Sequence, residues 1–266
     1  MSSKYCIAVE ATYPNYIKRS KTNVIASYLN LELDKQDIPL YILTNDVNEY
    51  KEYSSNSKIK IFDVNEIRKD VPESLQYELY PEDPIGIYPR LYPFNVRRFL
   101  VRQAGLDGYS GCYCVDADVV AHPSISKEMV INHMNNLYEP RVLGTNAAVF
   151  RYEPGSRAEV FQFHDKYIKH FNFNFTDRQY DIPDGPSMFF MGEKPQDLLD
   201  IFEKWNYFAI LGYRKDLGEG PESLIYANLS FSLPQLGFTT KEKPLIFYPD
   251  HHYEDRYTFE NKGKYY

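Results

Sequence analysis

In the first half of the chain, short unbroken apolar runs alternate with longer stretches in which apolar residues recur every three or four positions. Tyr5 to Val9 (YCIAV) is a run of strand length, and Pro39 to Thr44 (PLYILT) and Lys58 to Phe62 (KIKIF) follow it. Between the first two, Tyr16 to Leu33 sets Val24, Ile25, Tyr28 and Leu29 at helical spacing. Strand-length runs separated by helix-length segments predict parallel pairing through crossovers, and so a Rossmann-like α/β unit. Residues 71 to 93 carry Pro72, Pro81, Pro84, Pro89 and Pro93 among many aromatics. That much apolar mass does not stay solvated, which predicts a structured loop and not a flexible linker. A helix is predicted from Phe94 to about Ala104, with Val96, Phe99, Leu100 and Ala104 inward and Arg97, Arg98 and Arg102 on other faces. From Gly111 an apolar strand then runs into two carboxylates, Asp116 and Asp118, and on to Val119 and Val120.

The second half is more mixed. Arg141 to Tyr152 reads as a strand or a strand pair around Asn146. Ser156, with Glu159 three residues on, is a capping-box signal for a helix through about His170, striped by Val160, Phe163, Tyr167 and Ile168. Leu198, Phe202 and Trp205 mark a short helix, Ser223 to Leu229 begins a third, and Pro244 to Tyr248 is a last strand. A polar and aromatic tail from Pro249 carries His251 and His252. With no linker-like composition shift, the expectation is one domain over 1–266: a ligand-binding half, 1–122, and a second, mixed α/β half, 123–266.

Composition narrows the class. At 266 residues with 43% hydrophobic and 25% charged side chains, the chain buries a full core without a disulfide or metal staple. Its apolar runs are too short for a membrane span, and MSSKYCIAVEA lacks the apolar stretch of a signal peptide. Three cysteines make no disulfide framework, and the fitting compartment is the reducing cytoplasm. A net charge of −7 argues against general nucleic-acid or anionic-membrane binding. Aromatic content is high, with 25 Tyr and 17 Phe. That fits a tyrosine-rich core and surface, and equally a cleft that stacks sugars or bases.

The sharpest chemical signal is Val115-Asp116-Ala117-Asp118-Val119. Two carboxylates one residue apart at the end of a buried strand are costly unless a positive partner satisfies them. A divalent cation with oxygen ligands does so directly. The carboxyl ends of parallel strands are also where open α/β sheets place ligands.

These residues resemble the GT-A fold glycosyltransferases that use nucleotide-sugar donors. The resemblance spans residues 5 to 150: Val96-Arg97-Arg98-Phe99-Leu100-Val101, then Gly108 through Val120, then His122-Pro123-Ser124-Ile125. Asn146-Ala147-Ala148-Val149-Phe150 is similar to the Asn-(Ser/Ala)-Gly-Val strand of the glycogenin-like branch, with Ala148 where that branch has Gly. The resemblance implies a metal-dependent transfer from a nucleoside-diphosphate sugar, a UDP-sugar by family habit, with Mn2+ or Mg2+ as cofactor. Asp118 would bind the metal, and Asp116 would share in metal, ribose or donor-sugar contacts. The loop Glu10-Ala11-Thr12-Tyr13 would meet the base, with Tyr13 stacking or simply packing on its own domain. Of Arg97 and Arg98, one would contact phosphate or donor sugar and the other lie on a solvated helix face. Asn146 and Lys264, in Lys262-Gly263-Lys264, would touch the donor, and His251 or His252 would complete the metal shell.

For the catalytic carboxylate the resemblance offers Glu222, at a Gly-Pro turn before a helix, as base. It offers Asp184, in a Pro-Asp-Gly turn, as a positioning group; both also suit ordinary helix-terminal acids. The acceptor is open among glycan, lipid-linked sugar, protein and modified base. Two alternatives stand beside this reading. Asp116-Ala117-Asp118-Val119-Val120 also fits the nucleophile loop of a haloacid-dehalogenase-like phosphohydrolase, although that family carries it on its first strand. Ala148 and Gly185 leave room for a non-catalytic domain that binds nucleotide sugar or glycan.

Overall fold

The computed structural model describes residues 4–12, 14–67, 92–121, 125–145, 150–151, 181–182, 187–212, 237–242 and 247–249. The strands are β1 (Tyr5–Ala11), β2 (Leu40–Thr44), β3 (Ile59–Asp63), β4 (Gly111–Val115), β5 (Val119–Ala121), β6 (Val142–Thr145), β7 (Phe150–Arg151), β8 (Asp181–Ile182), β9 (Ser187–Met191), β10 (Thr239–Glu242) and β11 (Phe247–Pro249). The helices are α1 (Pro14–Arg19), α2 (Ala26–Asn30), α3 (Val64–Ile67), α4 (Tyr92–Leu106), α5 (Lys127–Leu137) and α6 (Pro195–Gly212), with a π-helical segment, Ser20–Ile25, joining α1 to α2.

Seven strands form one sheet in the order β10-β6-β9-β4-β1-β2-β3. All neighbours pair parallel except β9, which runs antiparallel between β4 and β6. The fold class is therefore the expected one, an α/β protein with a mostly parallel sheet flanked by helices. β1 and β2 are apolar along nearly their whole length because a central parallel strand is covered on both faces, and every residue of each is buried.

The period of two sorts those side chains between two cores. Tyr5, Ile7, Val9 and Ala11 of β1 join Tyr113 and Val115 of β4 under the 14–30 helical stretch, packing on Val24, Ile25 and Tyr28. Cys6 and Ala8 join Cys112 and Cys114 on the opposite face, against Phe99, Leu100 and Ala104 of α4 and Leu198, Ile201 and Trp205 of α6. The three cysteines are free thiols in that second layer, with Sγ–Sγ separations of 3.9 Å (Cys6–Cys112) and 3.7 Å (Cys112–Cys114).

Several elements depart from expectation. The stretch predicted as one helix over 16–33 runs from Pro14 to Asn30 and is interrupted by the π segment. The strand from Gly111 breaks after Val115, where a turn carries Asp116 to Asp118 before β5 resumes. The helix marked by Leu198, Phe202 and Trp205 is not short but spans 18 residues. β9 (SMFFM) was not anticipated, although it is an apolar run bounded by Pro186 and Gly192. The predicted proline-rich loop lies outside the described residues except at 92–93, which begin α4. The helices predicted at 156–170 and from Ser223 lie outside them entirely.

Gly192 follows β9 and donates its N–H to Ser110 O at 2.7 Å. A Cβ at that position would fall 2.6 Å from Asp197 Cβ and 3.1 Å from two backbone oxygens. Asp197 is itself fixed, accepting from Glu193 N at 2.7 Å and Lys194 N at 3.2 Å at the start of α6. Gly192→Ala is expected to cost about 1–3 kcal/mol through overpacking, read as a lowered urea midpoint at unchanged slope. A variant as stable as wild type would show that the α6 turn yields freely.

Candidate functional site

The strand order places a crevice before any side chain is considered. From β1 the chain steps to β2 and β3 on one side, then returns through α4 to β4 on the other side of β1. That reversal is a topological switch point, and a ligand crevice forms outside the carboxyl ends of the two diverging strands. β1 ends there at Ala11, followed by Thr12, and β4 ends there at Val115, followed by Asp116. The register pairs Val9 with Val115. Glu10 and Asp116 each follow by one residue, on the α4 side that Ala8 and Cys114 face. Because α4 leads into β4, its N-terminal part lies at this same edge of the sheet.

Arg97, on α4, is thereby delivered to the acidic pair. It is 2% exposed, and its Nη2 donates to Asp116 Oδ1 in a close ion pair. Glu10 is 1% exposed. It accepts from Thr12 N at 2.7 Å and closely from the Thr12 hydroxyl. Burial pushes the Glu10 carboxyl up from its ordinary range, the Thr12 bonds and the Arg97 charge oppose this, and the Asp116 charge adds to it. Arg97 is thus the positive centre that two neighbouring carboxylates share.

Asp118 lies on the other flank. It follows Ala117, which packs into the core beneath the 14–30 stretch, and its Oδ2 accepts from Arg19 Nη1 at 3.2 Å. The 14–30 stretch is tied to the strand beyond Asp118, because Ser27 Oγ accepts from Ala121 N at 2.9 Å. It also meets the segment after β2, where Ser20 Oγ and Tyr50 Oη lie 2.7 Å apart. Tyr16, one turn before Arg19, has its hydroxyl pKa raised by burial and then by the Glu10, Asp116 and Asp118 charges. The two aspartates therefore straddle the sheet edge, each with its own arginine.

Of the expected site residues, Arg97 and Asp116 meet here, and Asp118, expected as a metal ligand, follows two positions on with Arg19 as its partner. Arg98 is wholly buried, its guanidinium carbon 4.5 Å from the centre of the Phe99 ring. The expectation that one of the two arginines lies on a solvated face is therefore corrected: both are buried, because α4 is covered by the sheet and by α6. Tyr13, Asn146, Asp184, Glu222, His251, His252 and Lys264 lie outside the described residues. The sequence placed Glu10 and Thr12 only within the loop expected to meet the base, and gave Tyr16 and Arg19 no part in the site. Glu10 carried a usable signal, as a lone carboxylate closing a run of buried strand residues.

β11 pairs antiparallel with β5, setting Pro249 opposite Val119, the residue after Asp118. In donor chemistry Asp116 and Asp118 are hard oxygen ligands, which suits Mg2+ or Mn2+. Among the described residues no group of three His, Cys, Asp or Glu side chains is placed to hold a metal ion. The pair thus fits part of an oxygen-rich shell. None of the described helices is long and apolar enough to cross a membrane.

Fold and site together define an α/β protein with an acidic pair in the crevice at its switch point. No protein-family model matches the chain, and no curated protein does. Among solved structures it is similar to mouse xyloside xylosyltransferase 1 in its apo form. The identity is 11% and the TM-score 0.49, over 90% of this chain and 84% of that one. At that level the likeness specifies neither reaction nor substrate for this chain.

Proposed function

We propose that the chain is a metal-dependent glycosyltransferase that moves a sugar from a nucleoside-diphosphate sugar, a UDP-sugar by the family resemblance, to an acceptor hydroxyl. The observation that carries this reading is the position of Asp116 and Asp118. They stand at the carboxyl ends of the sheet, beside the β1–β4 switch point, flanked by two arginines from different helices. Asp118 is the main metal ligand, and Asp116, held by Arg97, shares in metal, ribose or donor-sugar contacts. His251 or His252 would complete the shell, since β11 brings Pro249, two residues before His251, alongside Val119. When bound, a Mg2+ or Mn2+ ion supplies Lewis-acid stabilisation of the departing nucleoside diphosphate.

The chain's own groups supply the rest. Arg97 holds Asp116 in one orientation from its buried seat. The segment Glu10 to Tyr13 would meet the base, and Asn146 and Lys264 would add donor contacts. Glu222 takes the proton from the acceptor hydroxyl as the new bond forms, and Asp184 positions the donor sugar or the acceptor.

Calorimetry of UDP with the full chain tests the reading directly. Binding is expected in Mn2+ and should be lost in EDTA, because an acidic pair does not hold a diphosphate without a bridging cation. Equal affinity in both would sink it. Metal-dependent hydrolysis of a generic phosphate ester would favour the phosphohydrolase instead, and donor binding without transfer across an acceptor panel the non-catalytic domain.

A further inference from the structure

The two arginines at the acidic pair are built differently, and the difference has a consequence. Arg97 has a side chain 3% exposed and is packed where it cannot leave Asp116 without opening the core. Arg19 has a side chain 48% exposed and meets Asp118, itself 19% exposed, at 3.2 Å. Its backbone is the last residue of α1, just before the π segment, a helical irregularity that is common at functional sites. The helical stretch itself is pinned: Ser27 holds Ala121 and Ser20 meets Tyr50. The anchor of Arg19 is therefore fixed while its guanidinium borders solvent at the rim of the crevice.

We propose that Arg19 is a counter-cation that yields the Asp118 carboxylate to a divalent cation and then pairs with the diphosphate of the donor. This rests on the metal-dependent reading above. A guanidinium and a divalent ion on the same carboxylate repel, and of the two arginines only the exposed one can withdraw without unpacking the core. Once withdrawn, its planar fork of donors suits phosphate oxygens, which Arg pairs bidentately. The Arg19–Asp118 pair itself sets this flank of α1 against the crevice. Arg19 thus binds on both sides of the exchange: it competes with the metal before the donor arrives and holds the donor afterwards.

The two roles push measurable affinities in opposite directions. Mn2+ binding to the full chain without nucleotide, followed by electron paramagnetic resonance, is expected to be about threefold or more tighter in Arg19→Gln than in wild type. UDP binding at saturating Mn2+ should be about tenfold or more weaker in the same variant, as loss of a charge-assisted hydrogen bond implies. Arg19→Lys keeps the charge without the fork, so Mn2+ affinity should stay near wild type while UDP affinity falls part of the way. A merely structural ion pair would leave both affinities unchanged, or lower both through a damaged helix, and either result overturns the proposal. Failure of wild type to bind Mn2+, or UDP binding indifferent to Mn2+, overturns the metal-dependent reading first and this inference with it.

Discussion

Asp118→Asn is expected to leave the chain folded and to lower transfer by about a hundredfold or more. The magnitude follows from the several kcal/mol of charge stabilisation that a Lewis acid supplies, at roughly 1.4 kcal/mol per decade of rate. The structural cost is small for a separate reason. Asp118 pairs with a half-exposed arginine, and such pairs contribute only about 0–1 kcal/mol. A melting temperature near that of wild type, with Mn2+-dependent UDP binding lost, is the expected pair of results. Retained UDP affinity in Mn2+ would remove Asp118 from the metal site. Loss of the folded circular-dichroism spectrum would instead make the carboxylate a structural element of the turn after β4.

Arg97→Ala should behave in the opposite way, with its largest effect on stability. Its guanidinium bonds Asp116, and its charge also acts on the Glu10 carboxyl, which is 1% exposed. Removing it leaves two neighbouring carboxylates without their shared cation. Breaking a buried pair from one side costs about 3–5 kcal/mol. Urea unfolding should show a loss toward the lower end of that range, since the Asp116 side chain is 23% exposed. Adding Glu10→Gln should recover part of it, because one of the stranded charges is then gone, and the double-mutant cycle measures the coupling. A loss below about 1 kcal/mol for Arg97→Ala would mean that water already screens the pair.

These contrasting expectations for two aspartates one residue apart arise from their surroundings, and the sequence displays only part of those. Asp116-Ala117-Asp118 stood out because an apolar strand ran into it, and its place at the carboxyl end of that strand followed from the α/β pattern. Which carboxylate is held from the core and which from the rim did not follow. Arg97 and Arg98 are adjacent on one helix, and an amphipathic count assigns one of them to solvent. α4 is covered by the sheet on one side and α6 on another, so both are buried. Arg19 is 99 residues from Asp118 in sequence, and nothing local in PNYIKR marks it as that partner. The assignments to Glu222, Asp184, Asn146, Lys264 and the tail histidines rest on motif likeness alone.

What the sequence determined by itself is the parallel half of the sheet. Strands buried on both faces must be apolar along nearly their whole length, so β1, β2 and β4 are written as unbroken runs, and helix-length spacers between them require crossovers. What only the tertiary structure decided is the strand order, with β9 inserted antiparallel between β4 and β6, and the partner of each charge. Strand order depends on which edges meet after collapse, and SMFFM would satisfy either direction equally well. The charge partners depend on side chains brought together from Glu10, Arg19, Arg97 and Asp118. Their contacts are set by the packing of two helices on opposite faces of the sheet and leave no periodic trace along the chain.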